Sequence, residues 1–188
     1  MATPESPVSL FVQRRIERNH EIGRPISEAH NTPHLRNTAK LSRIAGGLLG
    51  FSQREIDLTV AACWLHDLIR SPSEDPGTKD NLNTAVEADR ILRVMNVLGS
   101  YKTTQDEKAA IVHAIQAHGS YPQWLANTVT RNNPPQELKD KLHLALFVAD
   151  KMEANGVRVI ARRSSFVAGD RLHGPEGDWR TLDRKSVV

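Results

Sequence analysis

Apolar residues recur along this chain at helical spacing, and no run alternates as a strand would. The first helix is capped by Ser6 with Pro7 in its first turn, takes Leu10, Phe11, Val12 and Ile16 as its apolar side, and fades by Gly23. The second opens at Thr32-Pro33. Its inner face reads Leu41, Ile44, Ala45 and Leu48 at i, i+3, i+4, i+7, and Gly50 closes it. His34, seven residues before Leu41, falls on that face near the helix start.

The third helix starts with a capping box, Ser52 and Glu55. Ile56, Thr59, Val60 and Cys63 form its inner stripe, and His66 and Asp67 continue it. A polar stretch, SPSEDPGTKDN, reads as a loop and a substrate mouth. The fourth helix runs from about Asn83 to Leu98 with Ala85, Ala88, Leu92 and Met95 inward, and Gly99 ends it. The fifth starts at Thr104, again with a glutamate three residues on, Glu107, and ends near His118. Ile111, Val112, Ile115 and His118 face inward, and His113 faces away and is expected in solvent. After an irregular stretch to Pro134-Pro135, the sixth helix runs through LKDKLHLALFVADKMEA to Asn155 and is apolar nearly all round. A short helix is expected over Val157 to Phe166, and a polar tail from Gly169. No internal repeat stands out. The fold class is therefore all-α: one helical domain over residues 1–168 and a C-terminal tail over 169–188.

Composition narrows the setting. The 188 residues suffice for a self-sufficient core. No apolar run approaches the ~18 residues of a membrane span, and MATPESPVSL lacks a signal-peptide pattern. A lone cysteine, Cys63, makes an internal disulfide impossible and reads as a small core residue. These features fit a cytoplasmic protein. The net charge of +3 suits an anionic partner, but without a basic run interleaved with aromatics a nucleic acid is not the expected one. A small phosphate-bearing substrate fits as well, and self-association is left open.

Four polar residues sit in apolar helical settings: His34, His66, Asp67 and Asp150. Any one alone reads best as a satisfied core group. Together, two imidazoles and two carboxylates make a sound ligand set for one divalent cation. A cation there would activate water and polarise a phosphoryl group.

In order and context these residues resemble the HD-domain superfamily of metal-dependent phosphohydrolases. The matching segments are His34 in TPHLRNTAKLSRIAG, His66-Asp67 in AACWLHDLIR and Asp150 in FVADKMEANG. ADKMEANGVRVIARRSSF is similar to the stretch after the last ligand in HD-domain nucleotide pyrophosphohydrolases, and the resemblance spans about residues 30–166. It implies a helical bundle around one buried ion (Mn, Mg, Fe, Ni or Co) and hydrolysis of a nucleotide or other small phosphate compound by a metal-activated water. Asp67 would also orient that water. The chain departs from relatives with further histidines after the His-Asp pair: KDNLNTA stands there, with Asp80 in that place, so a two-metal site is not expected. The HDxxED arrangement is also absent, since Glu74 and Asp75 come too late.

Around this core, His118 is a candidate phosphate contact or proton donor. Lys79, Asp80 and Arg162 are candidate substrate contacts, with Arg163 beside them. Trp64 and Trp124 read as core residues rather than base-stacking platforms. Rival functions are a nucleoside 5′-monophosphatase, a cyclic-nucleotide phosphodiesterase, and a metal- or ligand-binding regulatory protein without turnover.

Overall fold

The computed structural model describes residues 6–22, 32–69, 78–120, 122 and 135–155, with side chains throughout except at 78, 79, 154 and 155. The described residues form helices and connecting turns only: α1 (Pro7–Glu21), α2 (Thr32–Leu48), α3 (Gln53–Leu65), α4 (Thr78–Val97), α5 (Gln105–Ala117) and α6 (Leu138–Asn155). Met1–Met152 groups as one compact unit and Glu153–Val188 as another. The short helix expected after Val157 and the boundary expected at 168–169 lie outside the described residues. No helix among those described is long and apolar enough to cross a membrane.

The helix ends follow the sequence closely. Ser6 accepts the Ser9 N–H at the start of α1, with Pro7 next. Ser52/Glu55 and Thr104/Glu107 both form reciprocal capping boxes. Gly50 and Gly99 adopt φ of +72° and +69° just past α2 and α4. Behind them the N–H groups of Phe51 and Ser100 reach back to the carbonyls of Gly46 and Met95. These are Schellman closures, which a side chain other than glycine would strain.

The faces of two helices differ from their apolar stripes. In α1, Val8 and Val12 are buried, while Leu10 and Phe11 face solvent. In α2 the buried side is His34, Leu35, Thr38, Ala39, Ser42 and Gly46, and the expected Ile44 and Leu48 are 60% and 84% exposed. The buried arc is thus turned by about a quarter of the helix circumference from the predicted one. The reason is close packing: a Cβ on Gly46 would lie 3.0 Å from Ile56 Cγ1. Small residues let the α2 and α3 backbones approach, and the bulkier leucines are left outside.

α4 begins at Thr78, so the end of the expected loop is helical. Its apolar face is as predicted, with Ala85, Ala88, Leu92 and Met95 all buried.

Side-chain links fix how the helices run. The Arg54 guanidinium forks onto the Glu107 carboxylate, with both N···O distances 2.7 Å, and so joins the starts of α3 and α5. Lys141 of α6 bonds Glu55 at 2.7 Å, also at the start of α3. Meanwhile Lys108 of α5 pairs with Asp89 of α4, and Asn81 lies against Gly119. Helices α3, α5 and α6 therefore run in parallel, and α2 and α4 run against them. The starts of α2 and α4 and the ends of α3 and α5 consequently share one end of the bundle.

Candidate metal centre

That shared end carries the polar residues. α3 is buried all round from Leu58 to Leu65 and then stops, with His66 as its C-cap. The imidazole Nδ1 of His66 lies 2.7 Å from the Cys63 carbonyl three residues back. This bond satisfies a carbonyl that the helix end would otherwise orphan. A carbonyl only accepts, so Nδ1 carries the proton, and Nε2 of the neutral ring presents its lone pair to the interior.

His34, in the first turn of α2, brings its own Nε2 to 3.3 Å from that of His66. Asp67 Oδ2 lies 3.2 Å from both nitrogens. Asp150 Oδ1 closes the group at 3.6 Å from His34 and 3.8 Å from His66. Donors held about 2.1 Å from one ion stand about 3.0–3.4 Å apart, so His34, His66 and Asp67 have the spacings of ligands converging on a common point, and Asp150 stands a few tenths of an ångström further out. Two nitrogen and two oxygen donors fit a borderline or hard divalent ion. Two carboxylates would also offset its charge, which a buried site requires. The donor set and its geometry therefore fit the ion that the sequence implied.

The electrostatics of the ion-free cluster show the same demand for positive charge. Burial works against a charged His66, yet Asp67 and Asp150 raise its pKa from 6.5 to about 10. Burial likewise works against an ionised Asp150, but its bond to His66 holds its pKa well below the usual carboxylate range. His34, His66 and Asp67 are almost wholly enclosed, whereas the Asp150 side chain is 14% exposed. The cluster thus meets solvent on the Asp150 side, where Lys151 Nζ stands 3.4 Å from the other carboxylate oxygen.

His118 joins from α5. Its ring centroid lies 5.1 Å from that of His66, edge to face, and donor atoms of His66, Asp67 and His118 fall within 4.8 Å of one another. Like His66 it is a helix C-cap whose Nδ1 bonds the carbonyl three residues back, here Ile115 at 2.5 Å. Burial, aided by the neighbouring His66, lowers its pKa from 6.5 to about 4. It is therefore a neutral imidazole whose free Nε2 accepts.

α3 and α5 are echoes of one another. Each begins with a hydroxyl cap and a glutamate box partner, spans 13 residues, and ends in a histidine fourteen residues after its cap. S-x-x-E followed by a histidine at that distance, then T-x-x-E with the same spacing, was the available signal of this internal repeat. It ranks His118 beside His66 on sequence alone.

The other expected residues are more scattered. Asp80 is buried in the first turn of α4 rather than in an open loop. It lies one turn before Thr84, whose hydroxyl bonds both the N–H and the carbonyl of Ile69, just after the His-Asp pair. The Lys79 backbone is in α4. Arg162, Arg163 and Trp124 lie outside the described residues. Trp64 and Cys63 are buried in the core, and burial raises the Cys63 thiol to about 12, so it stays protonated and inert. His113 is exposed, as expected.

The HD domain family model matches residues 33–155, from the start of α2 to the end of α6. No curated protein and no solved structure gives a significant match to the chain.

Proposed function

The chain belongs to the HD domain family, whose members are metal-dependent phosphohydrolases, and on that premise we propose that it hydrolyses a nucleotide or another small phosphate compound in the cytoplasm. The observation that carries the reading is the placement of one carboxylate oxygen, Asp67 Oδ2, 3.2 Å from the Nε2 atoms of both His34 and His66. We assign His34, His66, Asp67 and Asp150 as the ligands of one divalent ion. Such an ion supplies a Lewis acid that lowers the pKa of water and polarises a phosphoryl oxygen.

The chain's own groups do the rest. Asp67 orients the attacking water. His118 was expected to contact phosphate or donate a proton. The Nδ1 bond to Ile115 favours a third role, because an acceptor Nε2 can take a hydrogen bond or a proton from water but gives none. Lys151, 45% exposed at the open side of the cluster, gives an incoming phosphate a cation to meet.

A panel of nucleoside mono-, di- and triphosphates, cyclic nucleotides and an aryl phosphate, each with Mn, Mg, Co, Ni or Fe, tests the reading. Turnover on di- or triphosphates is the expected result. Preference for monophosphates or cyclic nucleotides would replace the substrate and leave the site. Bound metal with no turnover on any compound would make the protein a ligand-binding regulator instead.

A further inference from the structure

We infer that His143, outside the four clustered residues, is a positioning residue for His118. It lies on α6 seven residues before Asp150 and so on the same face of that helix. Its Nε2 is 3.2 Å from the Ser120 carbonyl, two residues beyond His118. A carbonyl only accepts, so His143 donates, and its imidazole ties down one of the free carbonyls at the end of α5. The turn is also closely approached by α4: a Cβ on Gly119 would meet Asn81 Nδ2 at 3.0 Å. Within it Ser120 N–H donates to Ala117 at 2.8 Å. His118 Nδ1–H needs the Ile115 carbonyl of this same last turn to keep Nε2 as the acceptor. One helix thus carries Asp150 to the cluster and, through His143, holds the turn that presents His118.

The surroundings explain why this is positioning rather than bulk stability. His143 lines a cavity of about 650 Å³ together with His113, Ala117, Ser120 and Asp140. With the imidazole gone, water can reach the Ser120 carbonyl, so the hydrogen bond is replaced. The fixed geometry is not, because water has no covalent tie to α6.

This inference rests on the reading of His118 as part of the site, and its test separates the two. Imidazole ¹⁵N shifts of the full chain with Mg²⁺ report tautomers directly, with His118→Ala providing the assignment. In the wild type His66 and His118 should both be Nδ1–H tautomers. In His143→Leu, His118 should become a mixture of tautomers while His66 is unchanged, and His143→Gln, which keeps an N–H donor, should restore it. On a substrate the panel identifies, His143→Leu should lower kcat about 10- to 100-fold with KM and metal content unchanged. It should have no further effect in a His118→Ala background. An unaltered His118 tautomer in His143→Leu, or tautomers of His66 and His118 changing together, would overturn the inference. If no compound is hydrolysed, the functional reading fails while the tautomer measurement still decides this one.

Discussion

The Nε2 atoms of His34 and His66 face each other at 3.3 Å across two antiparallel helices. The Nδ1 of His66 is committed to the Cys63 carbonyl, so its Nε2 is the ring nitrogen that faces His34. Two aspartate oxygens complete the circle. A proton can tie together only one pair of these atoms at a time, whereas a cation at their centre ties all four.

From this geometry, His66→Ala or Asp67→Ala should weaken metal binding more than about 100-fold, since loss of an outer-shell partner alone costs 10–100-fold. The helical circular-dichroism spectrum should persist, because α3 is packed on all sides up to Leu65. Elemental analysis after gel filtration reads the outcome. Unchanged metal content in both variants would remove these residues from the ligand set.

His118→Ala should lower turnover about 100-fold or more, the scale of a lost acid–base group. His113→Ala, on the exposed side of the same helix, should stay within about twofold. Steady-state kinetics on the best panel substrate compares them. Equal and negligible losses would return His118 to a packing role.

The metal-stripped protein should show two opposed pH effects on stability. The folded pKa of His66 is raised to about 10, so its stabilisation is full below 6.5 and fades as pH rises through 10. The folded pKa of His118 is lowered to about 4, so the unfolded chain takes up its proton first and stability falls as pH drops from 6.5 towards 4. Urea melts at a series of pH values test both. His118→Gln should flatten the acid side, and saturating metal should flatten the alkaline side, because a ligated His66 is already deprotonated.

Neighbouring glycines should respond in opposite directions. Gly50→Ala should cost about 1 kcal/mol, because its φ of +72° suits no L side chain. Gly47→Ala should stabilise by about 0.5–1 kcal/mol, since it lies in α2 with open space where the Cβ would go. Chemical denaturation gives both values, and equal shifts would contradict the assigned closure of α2.

The caps and stops were legible because their chemistry is local. Ser52/Glu55, Thr104/Glu107, Gly50 and Gly99 each act within five residues, and all perform in the structure as their types require. Helical phase was less secure. It placed His118 inward and His113 outward, and both are so. It chose the wrong side of α2, because the stripe of leucines outweighs Thr38, Ser42 and Gly46 on any hydrophobic count. His34 is buried all the same, since it lies where the predicted and observed faces overlap. The start of α4 was missed because Gly77 and the residues before it read as a loop, and nothing local marks Thr78 as helical.

The sequence by itself determined that the chain is helical, where most helices begin and end, and which histidines and aspartates sit in apolar settings in an order that resembles one family. Those properties depend on neighbours a few residues apart. Tertiary structure alone decided which face of α2 meets α3 and that the ends of α3 and α5 lie side by side. It also decided that His143 reaches the turn after His118. Each of these depends on how closely two backbones approach and in which direction they run, and small residues and ion pairs between distant segments set both.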